Sequence, residues 1–374
     1  MINKYIDIQR TSYLQNIKNT FGGIVFGIIL FICSFILLWW NEGNAVRLSQ
    51  KENFITENIT ILSSTTADRN NDERLIMVKG TVFTDETLSD ATLSVNNALN
   101  LKRIVEMYQW IENESTQTKN NLGGSTTQTT TYSYEKKWSS QEHNSNNFHN
   151  KEYENPKFTI HSGTISANNA TLGDFTINHN QISKIKDYRS LYKLTPNNQY
   201  QISDKYYYQG NDPENPEIGD IRISYKYVPS GIDISIIGKQ NYNNTITEMP
   251  TKSGEIYIQY DGNYSYDEMI NQYKNNNKFL TKILRVAGWL LMYVALLLLI
   301  NPINVLLQFI PILSKITNAI SSFLLLGISF ALSIITIAIA WLAHKPLISI
   351  ALFMLVFAIF HYYKQRSKNQ KTEV

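Results

Sequence analysis

The sequence predicts an α+β membrane protein with four transmembrane helices, one N-terminal and three C-terminal, and a large β-rich extracytoplasmic domain between the first and the second. Three observations predict it. Residues 22–40 read GGIVFGIILFICSFILLWW and carry no charge. The C-terminal quarter of the chain is apolar again, in three runs. Between these ends lies a polar stretch rich in Asn, Ser and Thr, in which apolar residues alternate with polar ones.

Residues 1–21 are expected to form a cytoplasmic tail. Residues 22–40 are long enough to cross a hydrocarbon layer of about 30 Å as a helix. A signal peptide would have a shorter apolar core followed by small residues, whereas this run ends in Trp39, Trp40, Asn41 and Glu42, so the segment is retained as an anchor. The second, third and fourth spans are placed at 284–301, 319–342 and 346–361. The second and fourth are short and need their flanks or slight bilayer thinning to span. Pro302 and Pro311 should break the helix within 302–318, making that segment interfacial. Trp39, Trp40, Trp289 and Trp341 then sit near one membrane face and Tyr362 and Tyr363 near the other, as an aromatic belt would place them.

Basic residues are nearly balanced across the spans, but those in short tails weigh more than those beside a long translocated domain. That puts both termini, including the basic tail 362–374, in the cytoplasm and residues 41–283 outside. The overall composition is ordinary, with 374 residues, a net charge of +3, 43% hydrophobic and 17% charged residues. Its balance gives no footprint for nucleic acid. The one cysteine, Cys33, lies in the first span, so the domain has no disulfide and depends on packing.

In the domain, Ile221, Ile223, Tyr225 and Tyr227 alternate with Arg222, Ser224 and Lys226, the period of a half-buried strand. Pro229, Ser230 and Gly231 supply a turn, and Ile232, Ile234 and Ile236 resume the alternation as the expected hairpin partner. A further strand is expected at 255–260. In VEMYQW, residues 105–110, the side chains of Tyr108 and Trp110 share a face with Ile104 and Glu106, while Val105, Met107 and Ile111 take the other. Tyr132, Tyr134 and Trp138 recur at period two after the flexible-looking TQTKNNLGGSTTQTT, which suits a long hairpin held by cross-strand aromatic pairs. These aromatics read as core rather than as a recognition face. More strand material is expected in 158–177, a short helix at 182–194 and an amphipathic helix at 266–280; the strands allow one β domain or two units, ending near 177 and 260.

Together, Gly22 and Gly23 through Asn41, Glu42 and Gly43, then VEMYQW and YSYEKKW, then NPEIGDIRISYKY with Gly219 and Asp220, and finally RVAGW with Arg285, Gly288 and Trp289 resemble the LUMA family of four-span membrane proteins. The resemblance runs in order over nearly the whole chain and marks Glu106, Tyr108 and Trp110 with the residues just named as family-motif, structural positions. It implies a self-associating protein: animal members live in the endoplasmic reticulum and inner nuclear membrane, bind themselves, lamins and emerin, and organise membrane protein complexes, and bacterial relatives exist. The loop around Gly123 and the last two spans depart from the pattern, so the animal partner contacts do not carry over. The Asn, Ile and Lys usage favours a bacterial inner membrane over those animal compartments.

Other functions are weaker. His143, His149, His161 and His179 are the histidines available for extracytoplasmic chemistry. QEHNSNNFH fits neither a zinc helix nor a zinc ribbon, and no nucleophile elbow or phosphate loop accompanies His179. A hydrolase is therefore the least supported reading, with no metal and no cofactor expected. An oligomeric ion channel or transport subunit lined by Ser322, Ser329, Ser333 and Thr336 is the alternative, though the spans hold no ionisable residue at mid-depth. The expected function is a non-enzymatic scaffold that associates with itself, other membrane proteins and the lipid bilayer, with Gly22, Gly23 and Gly27 as candidate helix-packing positions.

Overall fold

The structure, a computed structural model, describes residues 4–121, 125–196, 198–307, 311–345 and 354. The fourth apolar run (346–361, apart from Met354), the tail 362–374 and Gly123 lie outside the described residues. In chain order the elements begin with β1 (Lys4–Thr11), α1 (Tyr13–Asn58), β2 (Thr60–Ile61), β3 (Leu75–Phe83), β4 (Thr87–Ser89), β5 (Ser94–Asn96), β6 (Ala98–Asn120) and β7 (Thr126–Ser139). There follow β8 (Gly163–Ser166), β9 (Asn169–Leu172), β10 (Phe175–Asn178), α2 (His179–Ile182), β11 (Arg189–Ser190), β12 (Gln201–Ser203) and β13 (Tyr206–Gln209). The chain continues with β14 (Ile221–Pro229), β15 (Ile232–Gln240), β16 (Ile246–Thr247), β17 (Ile258–Asp261), α3 (Tyr266–Leu307) and α4 (Pro311–Ala343). It divides into a β-rich unit of Met1–Gln9, Phe54–Thr118 and Gln128–Tyr273, and a helical unit of Arg10–Asn53, Lys119–Thr127 and Lys274–Val374.

The β-rich unit is built from two main sheets. The first runs β1-β7-β6-β14-β13-β12, with β8 on β6 and β11 on β14; the second runs β10-β9-β3-β15-β16, with β2 on β3 and β17 on β15. Both sheets feed one core, in which Val105 and Met107 of β6, Ile223 and Tyr225 of β14, Val78 and Val82 of β3, and Ile234 and Ile236 of β15 are all buried. One shared core replaces the two serial β units that the sequence allowed.

β14 and β15 are the two strands expected, but they do not pair with each other. β14 pairs antiparallel with β6, with Arg222 opposite Glu106, and β15 pairs antiparallel with β3. The turn at Ser230 and Gly231, where Gly231 has φ +85°, passes the chain from one sheet to the other. The burial pattern gives the reason: most of β15 is buried on both faces, as only an interior strand covered on two sides can be. Its outer face carries Ile237, which packs with Leu75 and Met77 of β3, Ile55 at the end of α1, and Met269 and Ile270 at the start of α3. Two layers thus cover the second sheet, and the consecutive run LIMV in β3 is apolar because both of its faces are used.

Three expectations change locally. The helix at 182–194 is absent: a single turn, α2, is capped by Asn178 and Gln181 in a reciprocal capping box and ends at Ile182. The flexible stretch within 116–130 is strand up to Asn120 and again from Thr126. Residues 4–11, expected as a tail across the membrane from the domain, form β1 at the edge of the first sheet, where Tyr5 packs edge-on against Tyr134 at 5.9 Å.

Among the described residues, three helices are long and apolar enough to cross a membrane, within Tyr13–Asn58, Tyr266–Val305 and Ser322–Ala343. The amphipathic segment 266–280 is the first part of α3. Pro302 does not end that helix, which continues to Leu307; membrane helices tolerate proline where neighbours resatisfy the freed carbonyl. Pro311 instead opens α4, at the first helical position where a missing N–H costs nothing.

Candidate functional site

The family-motif residues of the helical unit converge on one joint between α1, α3 and α4. Glu42, in the α1 turn after the apolar stretch, is fully buried. Its carboxylate accepts two hydrogen bonds from Arg285 of α3, Nε to Oε1 at 2.7 Å and Nη2 to Oε2 at 2.8 Å. The guanidinium fork matches the carboxylate edge, so both prongs are charge-assisted. One residue earlier, Asn41 Nδ2 donates to the Thr281 carbonyl at 3.2 Å, a turn before Arg285.

Glycines let the backbones close at this joint. A Cβ on Gly288 would lie 2.5 Å from Leu38 Cδ2, and one on Gly43 would lie 2.5 Å from Nε2 of His344. Gly27 behaves likewise, 3.1 Å from the Cβ of Leu298, whereas among the described residues Gly22 meets nothing within 4 Å and Gly23 only Leu298 at 4.0 Å. Trp289 donates from Nε1 to Ser329 Oγ at 3.1 Å and packs edge-on against Phe330. Ser333 donates to the Ser329 carbonyl at 2.8 Å and Thr336 to the Leu332 carbonyl at 2.7 Å. Ser329, Ser333 and Thr336 are buried, so three of the hydroxyls considered as a pore lining are engaged in helix packing, by the back-bonding such residues use in apolar helices.

The motif residues of the β-rich unit form a second cluster, on the face of the first sheet opposite the core. Arg222 donates to Glu106 at 2.8 Å, and its guanidinium lies 4.5 Å from the ring centre of Trp138 and 4.7 Å from that of Tyr206. Gly219 (φ +101°) and Asp220 prolong the β6–β14 ladder: Gly219 N donates to the Tyr108 carbonyl, and Tyr108 N to the Asp220 carbonyl, both at 2.9 Å. Asp220 is buried and accepts from Tyr208 Oη at 2.5 Å and from Glu217 N at 2.8 Å. Burial, reinforced by the Asp220 carboxylate, pushes the Tyr208 hydroxyl well above its usual range. Trp110 is clamped through its backbone by the Asn155 side chain, at 2.8 and 2.9 Å, and packs edge-on against Tyr153. Burial and a hydrogen bond to Glu112 push the neighbouring Tyr134 up to about 12.

These aromatics are therefore structural, but not uniformly core. Tyr225 is buried in the sandwich with its hydroxyl on Asp90 at 2.7 Å, while Tyr108, Trp110 and Tyr227 are half-buried.

The histidines are dispersed. The His143 amide donates to Gln109 at 3.0 Å, and burial, with the charge of Lys137, lowers its imidazole pKa. His149 stacks on Tyr132, the His161 carbonyl accepts from Arg103, and His179 Nδ1 lies 3.1 Å from the Ala167 carbonyl. Among the described residues no three His, Cys, Asp or Glu side chains come together as a metal site would require.

Partners that sequence reasoning missed are Thr281, His344 and the β3 strand. The ion pair had a readable signal: an acidic residue ending one apolar run and a basic residue opening another call for each other in a low-dielectric setting.

A family model described as Transmembrane protein 43 matches residues 107–346. The chain is 28% identical over 355 residues to Transmembrane protein 43 of Rattus norvegicus and of Homo sapiens, an alignment covering 90% of this chain and 88% of each relative. It is 26% identical over 356 residues to the Drosophila melanogaster homolog, covering 92% of this chain and 94% of that one. No solved structure gives a significant match.

Proposed function

The chain belongs to the Transmembrane protein 43 family, also called LUMA, and on that premise we propose that it acts as a non-enzymatic, multi-pass scaffold that self-associates and organises other proteins in its membrane. The observation that carries this reading is the joint itself. Asn41, Glu42, Gly43, Arg285, Gly288 and Trp289 are all used to hold one helix against another, and a protein whose motif residues build a rigid joint presents surfaces rather than performs a reaction.

Two further features support it. The end of α1 and the start of α3 both seat on the outer face of the second sheet through Ile55, Met269 and Ile270, so the β-rich unit is held by two chain passages. A domain tethered in this way meets its neighbours at high effective concentration, and weak contacts suffice for assembly. Gly22, which meets no other side chain among the described residues, offers α1 a surface where a neighbouring helix can approach closely.

Purification in mild detergent with mass measurement tests the reading. A discrete oligomer that survives alanine at His143, His149 and His179 together supports the scaffold; a monomer at all concentrations overturns it. Ion flux in liposomes that changes with Ser329→Ala would establish the pore instead.

A further inference from the structure

The helical unit holds an apolar groove of about 640 Å³ between α1 and α4. Phe35, Ile36 and Trp39 form one wall and Leu332, Ile335 and Ile339 the other, with Arg47 and His344 at one end. The space lies in the range of small-ligand sites, about 300–1,000 Å³. Phe35 to Arg47 on α1 and Leu332 to His344 on α4 each span about 18 Å at about 1.5 Å per residue. That length is close to one hydrocarbon leaflet, about half of 30 Å.

We propose that this groove binds one acyl chain of an acidic phospholipid, with the phosphate held by Arg47 at the interfacial end. Length and lining decide what kind of occupant fits. The walls are apolar along a length close to one leaflet, and the polar groups sit at one end, the arrangement of an acyl chain and its headgroup.

Charge decides which lipid. Arg47 is exposed and forms no ion pair among the described residues, and Glu42, five residues before it, is committed to Arg285. Lys345 adds a second cation at that end, 4.6 Å over the ring of Trp341, a pairing typical of the lipid headgroup level. The apolar walls carry no charge that would repel a phosphate, and the head end carries two cations.

The inference rests on α1 and α4 crossing a membrane, which resistance of the full chain to alkaline extraction from membranes tests by itself. For the lipid, the full chain is reconstituted in bilayers of equal parts phosphatidylglycerol and phosphatidylcholine, and the lipid retained after detergent extraction is identified by native mass spectrometry. Phosphatidylglycerol should be enriched about fivefold over phosphatidylcholine, the effect of one interfacial cation. Arg47→Gln should lower the ratio toward that of the bilayer, Lys345 alone remaining at the head end, and Ile335→Trp, which fills the groove, should abolish retention. Lys51→Gln, one turn farther along α1, should leave the ratio unchanged. Retained lipid at the bilayer ratio in the unaltered protein, meaning annular lipid only, overturns the proposal. So does enrichment that survives both Arg47→Gln and Ile335→Trp in protein of unchanged thermal stability.

Discussion

Glu42 and Arg285, 243 residues apart in the chain, meet in a two-pronged ion pair in which the carboxylate is fully buried and the guanidinium side chain is 40% exposed. The asymmetry makes the two halves unequal. Arg285→Met strands a buried carboxylate and should cost about 3–5 kcal/mol. Glu42→Gln leaves an arginine that can reach the headgroups, and should cost about 1–2 kcal/mol. Thermal unfolding in detergent reads both, and equal losses would mean that Glu42 is not sequestered as described.

Gly288 and Gly22 should separate folding from association. A methyl group at Gly288 meets Leu38 at 2.5 Å, and Gly288→Ala should lower stability by about 1–3 kcal/mol through overpacking. Gly22→Ala should leave the unfolding temperature unchanged, any effect appearing only in the mass of the oligomer. A strong loss of stability at Gly22 would place that glycine inside the protomer's own packing.

Tyr225 and Trp110 occupy different depths, and their truncations should differ accordingly. Tyr225→Ala removes a fully buried ring from the sandwich core and should cost about 3–5 kcal/mol. Trp110→Ala, on the half-buried opposite face, should cost about 1–3 kcal/mol. Reversal of that order would show that the cluster around Tyr153 is the tighter of the two.

The β1 pairing can be tested by a short bis-maleimide linker. In a Cys33→Ser background, Tyr5→Cys and Tyr134→Cys should be linked within one chain, since their rings lie 5.9 Å apart. Such linkage is incompatible with residues 4–11 and β7 lying on opposite faces of a membrane. Absence of linkage, with only position 134 open to an impermeant thiol reagent, restores a cytoplasmic N-terminus.

His143 predicts an acid limb. Its pKa in the fold is lowered by burial and by Lys137, so the unfolded chain takes up the proton first as pH falls. Stability from this group is full above the ordinary histidine value and is lost as pH drops through the lowered one. His143→Gln should flatten that part of the unfolding midpoint against pH below the ordinary histidine value of about 6.5. An unchanged profile would assign the acid limb to other groups.

The apolar stretches of the three long helices and the strand periods were legible because each is a local property of the chain. Residues 22–40 needed only length and lack of charge, and 221–228 only their alternation. Which strand lies beside which was not local. β14 and β15 carry the alternation and turn of a hairpin, yet Ile232–Gln240 is buried at nearly every position, the polar Ser235 and Gln240 included, a burial on two faces that its alternating sequence does not convey. β3 was passed over for the same reason, since LIMV has no period. In the helical unit the motif residues were found through the resemblance, but the pairing of Glu42 with Arg285 emerged only when the two helices were brought together.

The connectivity of the sheets also fixes a timetable. β6 and β3 are complete early in the chain, but their central partners, β14 and β15, are neighbours near its middle and are synthesised more than a hundred residues later. The first sheet cannot close until the ribosome has passed Pro229, nor the second gain its central strand until it has passed Gln240, so one continuous segment supplies the key strand of both. Long-range pairing of this kind is slow and leaves strand edges open to aggregation meanwhile. The nascent protein therefore needs protection for most of its synthesis, and any truncation before Ile221 should yield not half a domain but none.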